Sequence, residues 1–359
     1  MAEARGIEIL SVSFTAGVVA GAMLPGTGLW LPSALLAALS LPFFFYKFLL
    51  CLPRERAVPL LAFAFSLLGV FCAWNSAQPG IPFHGPLETL ALEAAEKLRA
   101  FIDSVPFRDQ GTAPLLRALL TGDRSGLSES TVAIFRRSGA SHLLALSGLH
   151  IGIIYLVFDR FTRVLGRSPA ARKLRFALVV LGAGFYTLMT GAGPSIVRAF
   201  LFIGINETLR LLERPRKAVR VLCLALLIHL VMAPEAVRSV GFQLSYLAMA
   251  GIFLVYPLLE KWYPASPRWD PFRKVWNMAT LTLSCQLFTA PLVWIRFHSF
   301  PRYFLLTNLL AIPATTALMG SALLTLSLQA IGLCPPFLLT VTDSLSHLLL
   351  WILTVIASL

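Results

Sequence analysis

Charged residues are scarce in this chain of 359 residues: they make up 13%, whereas 57% are hydrophobic and the mean hydropathy is +0.77. Soluble domains carry about a quarter charged residues, so this composition excludes a soluble fold. The apolar runs are continuous rather than alternating, which excludes the strands of a membrane β-barrel. We therefore expect an all-α fold, namely a polytopic membrane helix bundle with external amphipathic helices.

Cysteine pairs and metal-binding motifs are also lacking. The five cysteines (51, 72, 223, 285 and 334) form no CxxC pair, and the chain contains no HExxH sequence. These absences exclude a zinc finger, a disulfide framework and a metalloprotease centre of the HExxH type. We expect no metal ion, no cofactor and no catalytic residue, so the protein is predicted not to be an enzyme.

Acidic residues are few: 17 against 30 basic ones, which gives a net charge of +13. Such an excess can bind nucleic-acid phosphates, but its location matters. Segments 159–175 and 210–220 each have a large basic excess, whereas segment 75–141 holds seven basic and seven acidic residues. A basic excess in short connections between spans is the positive-inside pattern, which predicts that these connections are cytoplasmic. The basic residues between 47 and 56 predict a cytoplasmic amino terminus in the same way.

Long apolar runs make up most of the rest of the chain, and we predict about eleven transmembrane helices. The chain then divides into amino-terminal transmembrane helices (1–74), external amphipathic helices (75–141) and a transmembrane bundle (142–359). Pro313 is expected to break the long run at 303–331. The predicted spans are 9–25, 29–52, 58–74, 142–158, 174–190, 195–212, 219–233, 237–259, 276–295, 303–331 and 336–358.

The segment 75–141, which we call the collar, is too polar to cross a bilayer. It predicts an amphipathic helix at 86–105, a short helix that ends at Gly122, and another that is capped by Ser128 and stops at Gly139. Helices of this kind lie along a membrane surface, here the outer one. The apolar face of the first helix is predicted to consist of Leu87, Leu90, Ala94, Leu98, Phe101, Ile102 and Val105.

The span predicted to begin at His142 carries the sequence SGLH. Ser147 and His150 are three residues apart, so they would share one face of a helix, with Gly148 between them. Polar groups at membrane depth usually face a bundle interior or water, so we interpret these side chains as the lining of a polar path. The alternative is that Ser147 bonds a carbonyl of its own helix while His142 lies among the headgroups.

The sequence GAGPSIVR contains the second group of candidates. Gly193 and Pro194 would turn the chain tightly, and Ser195 would cap the next helix. Arg198 lies one turn inside that helix, where it would attract anions. Farther along the chain, Gln243 opens a span as a third lining candidate, although an interhelical hydrogen bond would explain it equally well.

The sequence suggests two further pairings of polar side chains. Ser147 with His229 on another helix could form the dyad of an intramembrane serine protease, but the sequence offers no third group to orient the histidine. Asp343 and His347 are four residues apart in the last predicted span, and a buried Asp343 is expected to need His347 or water as a partner.

These motifs resemble those of the ComEC-type competence membrane channel family. The resemblance covers roughly residues 112–330 and implies a bacterial inner-membrane, multi-pass protein that passes single-stranded DNA into the cytoplasm. The blocks that carry it are LLTGDRSGLS (119–128), GASHLLALSGLHIG (139–152), TGAGPSIVRAF (190–200), VGFQLSYLAMAGI (240–252), and TAPLVWIRFHSF with the following TNLLAIP (289–313).

Two departures from the family pattern concern the partners. Family members usually insert an external OB-like domain and append a metallo-β-lactamase-like domain. Here the gap between Trp74 and Pro86 is too short for the first, and no HxHxDH sequence marks the second. The expected partners are therefore the lipid bilayer, single-stranded DNA, separate OB-like and metallo-hydrolase proteins, and a second copy of the chain. A pore-fold transporter or accessory membrane protein with no DNA role is the alternative.

Overall fold

The computed structural model describes residues 6–23, 62–63, 65–70, 72, 85–166, 168–264, 270–298 and 302–359. Within these ranges the chain is helical and contains no strand, which confirms the all-α class. The predicted span 29–52 lies outside the described residues, and so do eight of the 17 residues of the predicted span 58–74.

From Pro86 onward the helices follow one another with short connections, and the described residues between 62 and 72 are helical as well. Two 3₁₀ turns, Arg163–Leu165 and Pro234–Arg238, interrupt the series. In chain order the α-helices are α1 (Gly6–Met23), α2 (Pro86–Ser104), α3 (Thr112–Thr121), α4 (Glu129–Arg137), α5 (Ser141–Leu144), α6 (Gly148–Thr162), α7 (Pro169–Met189), α8 (Pro194–Leu211), α9 (Ala218–Met232), α10 (Val240–Leu254), α11 (Tyr256–Glu260), α12 (Pro271–Phe297), α13 (Phe304–Ala330) and α14 (Pro336–Ser358).

Four helical segments among the described residues are long and apolar enough to cross a membrane. They are Val240–Glu260, α12, α13 and α14, while Ile7–Ala22 and Ala218–Met232 are shorter apolar helices. The predicted count of about eleven is therefore not confirmed. Helix α6 shows one reason: its 15 residues rise roughly 22 Å, less than the roughly 30 Å of a hydrocarbon core.

Contacts divide the chain into two compact units. The first unit comprises Met1–Phe83 with Leu201–Tyr246, and the second comprises His84–Phe200 with Leu247–Leu359. The predicted division into segments 1–74, 75–141 and 142–359 stays a prediction.

Small residues hold the first unit together. A β-carbon at Gly17 would lie 1.8 Å from the carbonyl oxygen of Ser66, so only glycine lets the two helical segments approach this closely. The Ser66 hydroxyl donates to the Ser13 carbonyl at 2.9 Å, and the Ser11 hydroxyl donates to the Cys223 carbonyl of α9, also at 2.9 Å. Packing through small residues with hydroxyl bonds is typical of helices inside membranes.

The second unit has its hydrophobic core where the collar meets α13 and α14. Helix α3 is almost wholly buried, and Phe135 of α4 has no exposed surface. The predicted helix ends in the collar are confirmed: the Ser128 hydroxyl accepts the Thr131 amide, and Gly122 ends α3 with a φ of 78°. Other fully buried members of this core are Leu116, Leu119, Leu318, Met319, Leu349 and Leu353.

The predicted apolar face of α2 is correct only in its second half. Ile102 and Val105 are buried as expected, but Leu87 and Leu90 are 64% and 52% exposed. Ala91 and Ala95 are buried instead. Helix α2 packs against α7 and α3, and the small alanines allow that approach while the leucines face outward.

The predicted break at Pro313 is wrong. Helix α13 runs without interruption through this residue, and α12 likewise contains Pro291. Proline removes one helical hydrogen bond, a loss that tertiary packing can offset. Around Pro313 the neighbours Ala311, Ala314 and Thr315 are buried, so contacts hold the helix on both sides of the proline.

Candidate functional site

The predicted span from His142 to 158 is interrupted in the structure. Helix α5 ends at Leu144, Ala145 is extended, and α6 begins only at Gly148, with Ser147 as its N-cap. The Ser147 hydroxyl accepts the Leu149 amide at 3.2 Å. The alternative in which Ser147 bonds a carbonyl of its own helix is not what the structure shows: Ser147 precedes the helix as its cap, and its hydroxyl lies 3.1 Å from the His150 Nδ1.

His150 completes a capping box with Ser147. Its Nδ1 accepts the backbone N–H of Ser147 at 3.0 Å and lies 3.1 Å from the Ser147 hydroxyl. Glutamate or glutamine usually takes this position three residues after the cap, and here the imidazole plays the same role. Ser147 and His150 therefore meet at the helix start rather than along the side of a helix.

This bonding pattern fixes the neutral tautomer of His150. Because a backbone N–H can only donate, Nδ1 must carry the lone pair, and the ring proton lies on Nε2. The ring is 0% exposed, and Nε2 has no hydrogen-bond partner among the described residues. A buried donor without an acceptor is costly, so this nitrogen is a candidate for contact with a ligand.

The same bonds make a protease dyad a poor interpretation. The Ser147 hydroxyl and the His150 Nδ1 are both occupied by backbone amides at the helix start. His229 belongs to the first unit, where its Nδ1 lies 3.2 Å from the Tyr246 hydroxyl and its ring packs edge-on against Phe242.

Helix α8 begins one residue earlier than predicted. The carbonyl of Gly193 accepts the amides of Ile196 and Val197 at 2.9 and 3.0 Å, so Gly193 occupies the cap position and Pro194 the first turn. The prediction that Ser195 caps the helix is wrong, because Ser195 already lies inside it. Proline has no N–H to satisfy and a suitable fixed φ, which favours it as the first helical residue.

Arg198 lies one turn into α8 and reaches the start of α6. It is 8% exposed. A β-carbon at Gly148 would lie 2.9 Å from Nη2 of Arg198 and 3.3 Å from the β-carbon of Ala199. The missing side chain at Gly148 therefore makes room for the guanidinium group, and the SGLH and GPSIVR sequences meet at this point.

Residues of the collar and of α13 also bond the interrupted segment and the residues just before it. Arg124 donates from Nε and Nη2 to the Leu144 carbonyl at 3.1 and 2.8 Å. Gly122 has a φ of 78°, and a β-carbon there would lie 2.4 Å from a methyl carbon of Leu146. Thr307 of α13 donates to the Ser138 carbonyl at 2.7 Å. No role was predicted for Arg124 or Thr307, although both lie within the quoted blocks.

The match to a known family covers this whole arrangement. A family model described as "Competence protein" matches residues 119–359, which is more than half of the chain. The chain belongs to the competence protein family. The resemblance to ComEC-type proteins is thereby confirmed, and the 119–128, 139–152 and 190–200 blocks of the family region make the contacts described above.

Curated relatives of this competence family protein are longer than the chain. It is 27% identical to "ComE operon protein 3" of Bacillus subtilis over 59% of the chain and 27% of that relative. It is 28% identical to "Recombination protein 2" of Haemophilus influenzae over 57% and 27%, and 30% identical to "Competence protein ComA" of Neisseria gonorrhoeae over 61% and 32%. The matches thus span about a quarter to a third of these relatives. No solved structure matches the chain.

His142 and Gln243 of this competence family protein form local hydrogen bonds. His142 is exposed, with Nδ1 3.2 Å from the Gly139 carbonyl. Gln243 belongs to the first unit, where its amide donates to the Val237 carbonyl at 2.7 Å and so ties α10 to the preceding turn. Ser195 is half-buried. Of the candidates, the structure brings together Ser147, Gly148, His150 and Arg198.

Charges in the collar cancel locally. Arg117 bonds both Asp103, at 3.0 Å, and Asp123. The hydrogen bond from Arg117, followed by those from the Ser125 hydroxyl and amide, holds the pKa of Asp123 well below its usual range. The same bond to Asp123 raises the pKa of Arg117. Both groups stay charged at neutral pH and neutralise each other.

Asp343 was expected to need His347 or water as a partner; His347 is not that partner, and water stays a prediction. His347 Nε2 lies 2.9 Å from Asp109, and Asp343 accepts the Arg108 amide at 3.0 Å. Both partners belong to the turn between α2 and α3, so α14 is fastened to the collar rather than paired within itself. In the described parts of the chain, no three His, Cys, Asp or Glu side chains come together as a metal site.

Proposed function

We propose that this chain is the channel part of a competence system, a multi-pass protein of the bacterial inner membrane with a cytoplasmic amino terminus. Family membership and the competence names of its relatives support a role in DNA uptake. On this proposal the cargo is single-stranded DNA, which passes into the cytoplasm. The collar would lie on the outer face. Separate OB-like and metallo-hydrolase proteins and a second copy of the chain are proposed partners.

The observation that carries the proposal is the meeting of Arg198 with the start of α6. A permanent guanidinium charge lies against Gly148, and His150 at the same helix end carries a buried N–H for which the described residues offer no acceptor. A helix amino terminus, an arginine and a neutral N–H donor are all groups that bind phosphate oxygens. We propose that successive phosphodiesters contact Arg198 and His150 in passing.

The other candidates complete the proposed path. Ser147 and Ser195 lie at or near the amino ends of α6 and α8, and His142 precedes the interruption. Gln243 keeps a carbonyl oxygen for a further contact after its amide bonds Val237. Ion paths need contacts that are weak and repeated, since tight binding at one point would stop transport. Two serine hydroxyls and one arginine are contacts of this kind.

The test is Arg198→Ala, expressed at the wild-type level in a strain that lacks other copies of the gene. We expect uptake of labelled DNA to fall by at least tenfold, with a smaller loss for Arg198→Lys, which keeps the charge. Arg216→Ala serves as the matched control, because Arg216 is exposed in the 210–220 connection. Unchanged uptake with Arg198→Ala would refute the assigned role.

A second candidate is a pore-fold transporter or accessory membrane protein with no DNA role. The balanced charge of segment 75–141 favours it, because a DNA-gripping surface normally shows a basic excess. Deleting the gene separates the two functions. Loss of DNA uptake supports the channel, whereas normal uptake with altered passage of a small solute supports the transporter.

A further inference from the structure

The turn between α6 and α7 exposes large apolar side chains beside basic ones. Phe161 is 74% exposed, Val164 is 88% exposed, and Leu165 and Leu174 are exposed as well. These residues belong to one of the most basic connections of the chain, and none of them contributes to the site at the start of α6. Clustered exposed apolar groups of this size mark an interaction surface.

Hydrogen bonds hold this turn in one arrangement. Buried Asp159 accepts two bonds from Arg163, at 3.0 and 2.6 Å, and the Thr162 hydroxyl bonds the Phe158 carbonyl at 2.8 Å. Asp159 and Thr162 are three residues apart and face inward. The side chains of Phe161 and Val164 therefore fall on the opposite, outer arc.

Two further bonds fix the second half of the turn. Arg175 donates to the Gly166 carbonyl at 3.0 Å, and the Ser168 hydroxyl caps α7 by accepting the Ala171 amide at 3.1 Å. Arg160 and Lys173 remain exposed on either side of the apolar residues. Asp159 is the one acidic residue between 159 and 175, and it already bonds Arg163, so the outer surface is positively charged.

We propose that this basic turn, residues 160–166 and 168–174, docks on the anionic phospholipid headgroups of the membrane. Phe161 and Val164 would enter the boundary between headgroups and acyl chains, while Arg160 and Lys173 contact lipid phosphates. A basic cluster next to a membrane helix, with bulky apolar residues between the charges, is the pattern of such surfaces.

Two features favour lipid over nucleic acid as the partner. Of the four exposed apolar side chains named above, only Phe161 carries a ring on which a base can stack, whereas Val164, Leu165 and Leu174 are aliphatic and suit acyl chains instead. The turn also joins two apolar helices of a membrane protein, so a bilayer surface is within reach without any further assembly.

The test uses the full chain, purified in detergent and titrated with phosphatidylglycerol or phosphatidylcholine of the same acyl chains, with bound lipid counted by native mass spectrometry. The wild-type protein should retain phosphatidylglycerol preferentially. Arg160→Gln with Lys173→Gln should weaken this retention at least fivefold, since each basic residue near an anionic surface contributes roughly that factor. Phe161→Ser with Val164→Ser should weaken retention of both lipids.

The matched control is Arg136→Gln with Arg137→Gln, which removes the same charge from the exposed end of α4. It should leave the preference unchanged. Equal retention by the wild type and the Arg160→Gln, Lys173→Gln variant would overturn the proposal. A titration with a fluorescent single-stranded oligonucleotide decides the competing partner. If the double variant loses oligonucleotide binding and keeps its lipid preference, the turn is a nucleic-acid surface instead.

Discussion

Arg117 in the collar and Arg198 beside the start of α6 have different surroundings. Arg117 is bracketed by the carboxylates of Asp103 and Asp123, so its charge is neutralised where it lies. Arg198 lies against Gly148, where the lack of a side chain leaves space for the guanidinium group. The first arrangement neutralises a charge within the collar, and the second leaves room for a charge at a helix end.

The largest expected effect comes from filling that space. In Gly148→Ala the new β-carbon would lie 2.9 Å from Nη2 of Arg198, so the guanidinium group has to move. We expect DNA uptake to fall about as far as in Arg198→Ala, at least tenfold, while the protein remains folded. Uptake of labelled DNA at matched expression measures this.

Gly152 provides the control for the same substitution in the same helix. In the part of the chain that the structure describes, a β-carbon at Gly152 meets no atom within 4 Å. Gly152→Ala should keep uptake and raise stability by up to about 1 kcal/mol, since alanine is the better helix former. If both variants behave alike, the effect of Gly148→Ala reflects the helix and not the displacement of Arg198.

Helix caps and left-handed turns could be predicted from the sequence. Gly122, Ser128 and Gly139 were located correctly because caps and left-handed turns depend on residues a few positions apart. The interruption at 145–147 was missed, since the apolar run continues through it. At this interruption Arg124, which is 20 residues away in the sequence, donates to the Leu144 carbonyl.

The most distant contacts could not be predicted at all. Gly148 meets Arg198, and Asp109 meets His347 in α14, only because the helices between them fold back. The predicted apolar face of α2 was partly wrong for the same reason. The approach of neighbouring helices decides that Ala91 rather than Leu87 is buried. Local patterns define caps and helices, whereas the site depends on which helices pack together.

The bonds from Arg124 support the interrupted segment between α5 and α6. Arg124→Ala removes both bonds to the Leu144 carbonyl, and we expect a loss of about 2 kcal/mol in stability because these bonds involve a charged donor. Thermal unfolding in detergent measures it. Arg124→Lys can restore one of the two bonds and should recover part of the loss, whereas a variant as stable as the wild type would show that the bonds carry no weight.

The ion pair between Arg117 and Asp123 in the collar is expected to depend on pH. Hydrogen bonds from Arg117 and Ser125 lower the pKa of Asp123 below its ordinary value of 3.8. The stabilisation is therefore complete at neutral pH and is lost only as the pH falls below that value toward the lower folded pKa. Asp123→Asn should cost about 1 kcal/mol at pH 7, after solvent screening, and the cost should shrink in strong acid. An equal cost at pH 7 and in strong acid would contradict the ion pair.

The smallest effect is expected at Ser147, whose side chain caps α6. Ser147→Ala removes the oxygen that accepts the Leu149 amide, so stability should fall by about 1 kcal/mol. Ser147→Thr keeps an acceptor and should restore it. DNA uptake should remain within about threefold of the wild type in both, because Arg198 and the backbone at Gly148 stay in place. Complete loss of uptake in the stable Ser147→Thr variant would instead give the hydroxyl a direct role in the path.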